Sequence, residues 1–330
     1  MTLDRTSQSR FGLLNYSRVV FKRSTNDARK GRMMSSTATD KPVEPPVCAG
    51  PDLNPKKPDF TLPPGATDCH AHVFGPSAKY GYAPDRFYSP PQVFLQDYLN
   101  MLAVLGIERA VLVQSMIHGT NNGVIVDAIA ESQGRLRGVA LIGENISDAE
   151  LERLNASGIR GFRANLVARI GVQFAAAKKL AERVKALGWH VQYLLDIENF
   201  PDLDRVLADF PVQVVIDHLG RPDTRRGVNA PGFQALIRLL RSGRGWSKLS
   251  APYRTSTGAF PYADITPFAH ALVAAAPERL LWGTDWPHVT LDSPMPNDGD
   301  LCNQLAVWVP DAHTRKQILV DNPQRLYGFR

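Results

Sequence analysis

Residues 66–73, ATDCHAHV, contain two histidines separated by a single residue, near the end of a short run that could form a strand. Side chains two positions apart on a β-strand point to the same side, so His70 and His72 share one face if this run is a strand. Seven similar runs follow, giving predicted strands at 66–73, 109–114, 136–142, 159–165, 190–196, 212–218, 247–250 and 280–285. Helical-period segments separate these runs, and the alternation predicts parallel βαβ units.

The number and spacing of these units predict the fold. Predicted helices lie between the strands, for example at 174–187, 203–210, 233–241 and 262–275. Eight strand–helix units in about 265 residues match the size of a (β/α)8 TIM barrel, an α/β fold. An open doubly wound sheet is the alternative, because a strand count does not prove closure. If the barrel forms, catalytic side chains should lie at the carboxyl ends of the strands.

The composition is that of a globular chain, with 44% hydrophobic and 21% charged residues among 330. No apolar run reaches the roughly 18–20 residues that cross a bilayer, which excludes an integral membrane protein. Cys48, Cys69 and Cys302 are too few and too scattered for a disulfide framework or a thiolate zinc site. We therefore expect a reduced, cytoplasmic protein.

The excess of positive charge lies at the N-terminus. Residues 1–34 contain eight of the 38 Lys and Arg and two of the 32 Asp and Glu, so the net charge of +6 belongs to this stretch. Residues 1–60 are rich in Ser, Thr and Pro without a hydrophobic period, which predicts a disordered extension before a barrel domain at 61–330. The extension is either a targeting signal or an over-long start, with Met33 or Met34 as the true first residue. The neutral remainder argues against nucleic-acid and membrane partners.

Polar residues follow five of the predicted strands: DCHAH at 68–72, FRAN at 162–165, DHLGRP at 217–222, KLSAPYR at 248–254 and GTDWPH at 283–288. In a barrel these ends meet at one face, where His70, His72, His218 and Asp285 could converge. Three imidazoles and a carboxylate suit a cation such as zinc, with one position left for water.

Three motifs resemble those of the amidohydrolase superfamily: TDCHAHVFGP at 67–76, IDHLGRPD at 216–223 and LWGTDWPH at 281–288. Within it, the chain is most similar to the amidohydrolase-related family 2 branch that includes 2-pyrone-4,6-dicarboxylate lactonases. QSMIHGTNN at 114–122 and NPQRLYGF at 322–329 add to the similarity. The resemblance implies a distorted TIM barrel and a hydrolase that opens the lactone ester of a small carboxylated substrate in aromatic-acid catabolism.

The four converging residues carry the expected chemistry. Asp285 is the predicted general base that activates water, and His70, His72 and His218 are predicted to stabilise the oxyanion. The same four would be the ligands if a metal is bound. Binuclear members of the superfamily have a lysine or glutamate after strand four and a histidine after strand five. The ends of these strands here offer Arg163 and Asn165, and Gln192, Tyr193 and Asp196, so a binuclear centre is not expected. We expect no obligatory cofactor, with one zinc ion as the alternative.

Basic side chains follow strands four, six and seven on the predicted active face. Guanidinium groups bind carboxylates through paired, charge-assisted hydrogen bonds. With the resemblance, this gives the candidate substrate-binding residues Arg163, Arg169, Arg221, Arg254, His118 and Thr120. Arg221 has an alternative, because the neighbouring Asp217 or Asp223 could pair with it.

Other functions stay open at this point. A mononuclear zinc-dependent decarboxylase of the same superfamily would need a tightly bound metal. A sugar-lactone isomerase or hydrolase would act on an acyl bond with the same groups, and FPYAD at 260–264 resembles such isomerases. A non-enzymatic binding protein is disfavoured, because Asp285 and the three histidines are all present. The predicted partner is a small carboxylated lactone, and the sequence does not determine the oligomeric state.

Overall fold

The computed structural model describes residues 44–167, 174–291 and 293–329. Eight parallel strands follow one another around a single sheet in sequence order. They are β1 (Thr67–Ala71), β2 (Arg109–Val113), β3 (Leu136–Ala140), β4 (Ile159–Asn165), β5 (His190–Leu194), β6 (Val214–Ile216), β7 (Gly245–Leu249) and β8 (Leu280–Trp282). The predicted α/β barrel is confirmed.

The sheet closes where the residues after β8 meet β1. The Asp285 amide donates to the His70 carbonyl at 2.8 Å, and the His72 amide donates to the Trp286 carbonyl at 2.8 Å. A Cβ on Gly283 would lie 2.7 Å from the His70 nitrogen, so this approach of two backbones requires glycine. Closure thus uses the backbone of the predicted catalytic residues, and the barrel is distorted at this seam.

Helices cover the outside of the barrel. They are α1 (Ser77–Tyr80), α2 (Leu95–Leu105), α3 (Gly123–Glu131), α4 (Asp148–Ala156), α5 (Phe174–Val184), α6 (Leu203–Val206), α7 (Pro231–Arg241), α8 (Thr266–Ala275), α9 (Asp298–Trp308), α10 (Ala312–Lys316) and α11 (Asn322–Tyr327). The sequence of α7 shows why: Phe233, Leu236 and Leu240 share the buried face, whereas Arg238 and Arg241 are exposed. Within the described residues, no helix has both the length and the apolar character needed to cross a membrane.

Most strands end one to three residues earlier than the sequence predicts, and in β6 and β8 this moves a predicted site residue out of the strand. β6 ends at Ile216 rather than at residue 218, and β8 ends at Trp282 rather than at residue 285. The reason is backbone conformation: φ is +51° at His218 and +65° at Asp285, a left-handed region that a strand cannot contain. These two predicted site residues therefore lie on turns just beyond the sheet.

Residues 44–60 contact the barrel, although the sequence predicts them as part of the disordered extension. The Cys48 amide donates to the Ser89 carbonyl at 2.9 Å. The Lys56 amide donates to Asn297 Oδ1 at 2.8 Å, and Asn297 Nδ2 donates to Asp52 Oδ2 at 2.7 Å. The prolines that disfavour helix and sheet here leave an extended segment whose polar groups pair with the barrel instead. The domain boundary at residue 60 stays a prediction.

Candidate active site

The four residues predicted to converge are brought together at the carboxyl end of the barrel. The Nε2 atoms of His70, His72 and His218 lie 3.6, 3.7 and 3.8 Å from Asp285 Oδ1. All four side chains are buried. One carboxylate oxygen therefore faces three imidazoles in a space closed to bulk water.

The outer ring nitrogens of these histidines are held by three different groups. His72 Nδ1 lies 2.7 Å from the Val113 carbonyl, His218 Nδ1 lies 2.8 Å from Ser250 Oγ, and His70 Nδ1 lies 3.1 Å from Lys248 Nζ. A carbonyl can only accept, so His72 carries its hydrogen on Nδ1 and directs the Nε2 lone pair at the centre. His70 Nδ1 lies between a donor, Lys248 Nζ, and an acceptor, Asp217 Oδ1 at 3.3 Å, so either tautomer of His70 has a partner there.

The second oxygen of Asp285 is engaged on the other side. The Tyr253 hydroxyl donates to Oδ2 at 2.9 Å, and Arg254 Nε donates to it at 2.7 Å. Burial alone would raise the pKa of Asp285, but Arg254 and the histidines outweigh it and hold this pKa well below the usual range. Asp285 is therefore an ionised carboxylate at neutral pH.

Beneath the histidines lies a buried charge network. Lys248 Nζ donates to Gln192 Oε1 at 2.7 Å and lies 3.4 Å from Asp217 Oδ1, while Arg163 Nε donates to Asp217 Oδ2 at 3.1 Å. Burial lowers the pKa of Lys248, and Asp217 opposes this shift. Burial raises the pKa of Asp217, but Lys248, His70 and Arg163 together hold it well below the usual value. The network places fixed positive charge directly under His70.

Burial keeps two of the site histidines, His70 and His218, neutral. Desolvation, then the nearby Lys248 ammonium, lower the pKa of His70 well below the ordinary value. Desolvation likewise lowers the pKa of His218 to about 3, against an opposing effect of Asp285. Neutral imidazoles can donate, accept or bind a metal, which is the form that each predicted role requires.

The residues fit one divalent cation. His70, His72 and Asp285 each offer a ligand atom within a mutual 4.8 Å, and so do His70, Asp217 and His218. Among the described residues, His70 Nε2 and Asp285 Oδ1 are buried without a hydrogen-bond partner. Imidazole nitrogen and carboxylate oxygen are donors that zinc prefers. His70, His72, His218 and Asp285 are the residues that would hold it.

The predicted arginines have different surroundings. Arg163 and Arg254 reach the site, where they bond to Asp217 and Asp285. Arg221 pairs with Asp196 at 2.7 Å, so its predicted alternative partners, the neighbouring aspartates, were wrong: its left-handed φ of +50° turns it toward the end of β5. Arg169 lies outside the described residues.

His118 and Thr120 lie in the loop after β2 and do not share one environment. His118 Nδ1 bonds to the Gly81 carbonyl at 2.7 Å, and its Nε2 accepts from the Gly75 amide at 3.5 Å. Burial lowers the pKa of His118, and both ring nitrogens serve to hold the loop after β1. Thr120 is exposed and lines a cavity of about 240 Å³ together with Tyr88.

Several buried polar residues of this region have no specific role predicted from the sequence. Lys248 and Asp217 form the network under His70, and Tyr253, His288 and Asp298 form a chain behind Asp285. Their position in the sequence is the signal that could have indicated them, because most of them belong to the polar segments that follow β6, β7 and β8. Their partners come from other strands, which a linear pattern does not reveal.

The comparison with protein families identifies the family to which this barrel belongs. The sequence model of the amidohydrolase family matches residues 67–329, from the first residue of β1 to the end of the described chain. The chain belongs to the amidohydrolase family. The motifs that resemble the superfamily are those that supply the His and Asp centre.

Two similar proteins with assigned activities are lactone hydrolases. A 2-pyrone-4,6-dicarboxylate hydrolase from Comamonas testosteroni is 42% identical over 286 residues, which cover 83% of this chain and 93% of that protein. A 4-sulfomuconolactone hydrolase from Rhizobium radiobacter is 40% identical over 289 residues, covering 86% and 96%. Both matches span nearly the whole relative.

A solved structure extends the likeness to three dimensions. The crystal structure of a probable 2-pyrone-4,6-dicarboxylic acid hydrolase from Acinetobacter baumannii, with citric acid bound, superimposes with a TM-score of 0.71. It is 31% identical, and the match covers 80% of this chain and 100% of that chain. The amidohydrolase barrel described here thus has a solved relative that binds a small tricarboxylic acid.

Proposed function

We propose that this amidohydrolase hydrolyses the lactone ester of a small carboxylated substrate, 2-pyrone-4,6-dicarboxylate or a close analogue, in aromatic-acid catabolism. One observation carries the proposal: Asp285 Oδ1 is a buried, ionised acceptor that faces three imidazoles, beside Arg163 and Arg254. The relatives named above act on lactones that carry acidic groups, which supports the same class here.

Asp285 is the base in this proposal. A water between Asp285 Oδ1 and His72 Nε2 meets two acceptors, so it donates its hydrogens and keeps an oxygen lone pair for the lactone carbonyl. Asp285 takes one proton as the water oxygen bonds to the carbonyl carbon. When the tetrahedral intermediate collapses, the ring C–O bond breaks and Asp285 returns the proton to the leaving oxygen.

The other histidines stabilise the charge that forms on the attacked oxygen. In this proposal His72 accepts from the water, and His70, with its hydrogen on Nε2, donates to the oxyanion, with His218 beside it. A zinc ion held by the same residues would supply Lewis-acid polarisation of the carbonyl when bound.

The substrate carboxylates are assigned to Arg163 and Arg254, with Arg169 proposed as a third contact. Arg163 uses Nε on Asp217, which leaves the outer nitrogens of its planar fork for a carboxylate. Each charge-assisted contact contributes on the order of 1.5–3 kcal/mol. Two or three such contacts would make carboxylated lactones far better substrates than uncharged ones.

The test is a substrate series with metal analysis in parallel. We expect turnover of 2-pyrone-4,6-dicarboxylate, weaker turnover of a pyrone monocarboxylate and none of an uncharged lactone. Arg163→Met should lower kcat/KM on the dicarboxylate by roughly 10- to 100-fold. Arg160→Met is the matched control, because Arg160 lies on the same strand but bonds to the Asn155 carbonyl outside the barrel.

The outcomes separate the alternatives. Turnover that persists after chelation, in protein without bound metal, supports the Asp285 and histidine mechanism without a cation. Activity that depends on added zinc assigns the same four residues as ligands. Absence of hydrolysis across all carboxylated lactones contradicts the proposed function.

A further inference from the structure

A chain of buried polar groups lies behind Asp285, and the hydrolysis proposed above does not use it. The Tyr253 hydroxyl lies 2.9 Å from Asp285 Oδ2 and 2.7 Å from His288 Nδ1, and His288 Nε2 lies 3.2 Å from Asp298 Oδ1. His288 and Asp298 are fully buried, and Tyr253 is 7% exposed. Buried polar groups are costly unless they are paired, and here each group is paired with the next.

The hydrogen bond between Tyr253 and Asp285 has a defined direction. An ionised carboxylate can only accept, so the single hydroxyl hydrogen of Tyr253 lies toward Asp285. The His288 ring lies between the Tyr253 oxygen and Asp298, with one ring nitrogen facing each of them. Asp298 is itself fixed as the first residue of α9, directly after the N-cap residue Asn297, whose side chain accepts from the Gly299 amide.

Asp285 requires such support because its backbone is strained. Its φ is +65°, and that of His288, three residues later, is +58°. Non-glycine residues in this region cost about 1–3 kcal/mol and persist only when their surroundings hold them. Tyr253 and Arg254 both bond to Oδ2, and this leaves Oδ1 directed at the three imidazoles.

We propose that Tyr253 is a positioning residue for Asp285, with His288 and Asp298 fixing the tyrosine hydroxyl from behind. The inference rests on the proposed function, in which Asp285 is the base and Arg254 also meets a substrate carboxylate. When the Arg254 guanidinium is shared with that carboxylate, Tyr253 is the donor that keeps Oδ2 in place.

The test is a double-variant cycle read as kcat and KM separately. Tyr253→Phe should lower kcat by about 10-fold or more, because a base that is free to turn spends less time aligned with the water. KM should stay within about two-fold, because the arginines are untouched. Asp298→Asn should give a smaller loss of the same kind, and the double variant should be no slower than Tyr253→Phe alone, because Asp298 acts through Tyr253.

The control is Tyr262→Phe. Tyr262 is another buried tyrosine, whose ring lies 6.2 Å from that of Tyr253. Tyr262→Phe also removes a tyrosine hydroxyl, but one that does not contact Asp285. This variant should keep the wild-type kcat. Thermal unfolding of each variant verifies that the folded protein is assayed; if Tyr253→Phe does not fold, Asp298→Asn alone decides.

The results distinguish this inference from the proposed function. A wild type that hydrolyses none of the lactones contradicts the proposed function itself. With an active wild type, the positioning role is overturned by an unchanged kcat in Tyr253→Phe, by losses that appear only in KM, or by losses that multiply in the double variant. If Tyr253→Phe does not fold, an unchanged kcat in Asp298→Asn overturns the positioning role.

Discussion

The interior of the barrel has two layers with opposite character. The lower layer is an apolar cluster of Cys69, Val111, Val113, Val139, Val215, Trp246, Leu281, Tyr327 and Phe329. The upper layer contains His70, His72, Arg163, Gln192, Asp217, His218, Lys248 and Asp285. The same strands supply both layers, since Val215 precedes Asp217 and Trp246 precedes Lys248 by two residues.

The difference shows how one strand can serve stability and chemistry at once. Each buried apolar side chain of the lower layer stabilises the fold by roughly 1.5–3 kcal/mol. The upper layer gains little net stability, because removing ions such as Lys248 and Asp217 from water offsets most of their attraction. Its residues are therefore explained by the site they form rather than by the fold they support.

The largest expected effect is the loss of the base in the upper layer. Asp285→Asn keeps the shape of the side chain but removes the negative charge that accepts the proton. We expect kcat to fall by roughly 10²- to 10⁴-fold, while binding of a carboxylated ligand is retained. Steady-state kinetics and titration calorimetry measure the two quantities, and near-normal turnover would falsify the assignment of Asp285.

A second prediction concerns acid sensitivity, which the buried titratable groups should dominate. Burial lowers the pKa of His218 and His190 to about 3 and that of His70 well below normal, whereas it raises the pKa of Asp68 to about 6. As the pH falls below about 6.5, the unfolded chain protonates these three histidines and the folded chain does not, so stability is lost. Asp68 has the opposite effect, because its carboxyl is protonated in the folded chain and not in the unfolded chain. It cancels the proton taken up on unfolding by one of the three histidines.

The net uptake of about two protons on unfolding gives a slope of about 3 kcal/mol per pH unit near pH 5. Denaturant unfolding at pH 7, 6 and 5 measures it. A free energy of unfolding that stays constant over this range would mean that His70, His190 and His218 are protonated in the folded state, contrary to their burial.

The smallest effect is expected in the lower layer, and it should be on stability alone. Val215→Ala removes two buried methyl groups and should lower the free energy of unfolding by about 1–3 kcal/mol. The kcat/KM value should stay within about two-fold, since Val215 belongs to the lower layer and supplies no polar group to the site. Val206→Ala is the control, because Val206 is 44% exposed. A large loss of activity in Val215→Ala would show that the two layers are coupled.

The sequence predicted the fold and the central quartet because both leave local signals. Strand and helix periods alternate eight times, and the polar ends of the strands contain His70, His72, His218 and Asp285. It did not predict the bulge in β1, where Asp68 pairs with Ala110 but Ala71 pairs with Leu112. A bulge adds one residue to one strand only, so it is a property of the pair of strands.

Residue roles that depend on a distant partner were decided by the tertiary structure. The ring of His118, a predicted substrate contact, also holds the loop at Gly75 and Gly81. Lys248 had no assigned role until the barrel placed it under His70, 178 positions away in the chain. Such contacts depend on which strands become neighbours around the barrel, and periodicity within one strand carries no information on that.

The sequence by itself determined eight strand–helix units and the polar strand ends that contain three histidines and one aspartate. Local backbone preference and the periodicity of apolar faces suffice for this. Only the tertiary structure decided that the sheet closes and how each of the four is held: His70 by Lys248, His72 by the Val113 carbonyl, His218 by Ser250 and Asp285 by Tyr253. The physical reason is that tautomer, charge and orientation of a buried polar group depend on the atoms within about 3 Å of it, and folding alone brings those atoms there.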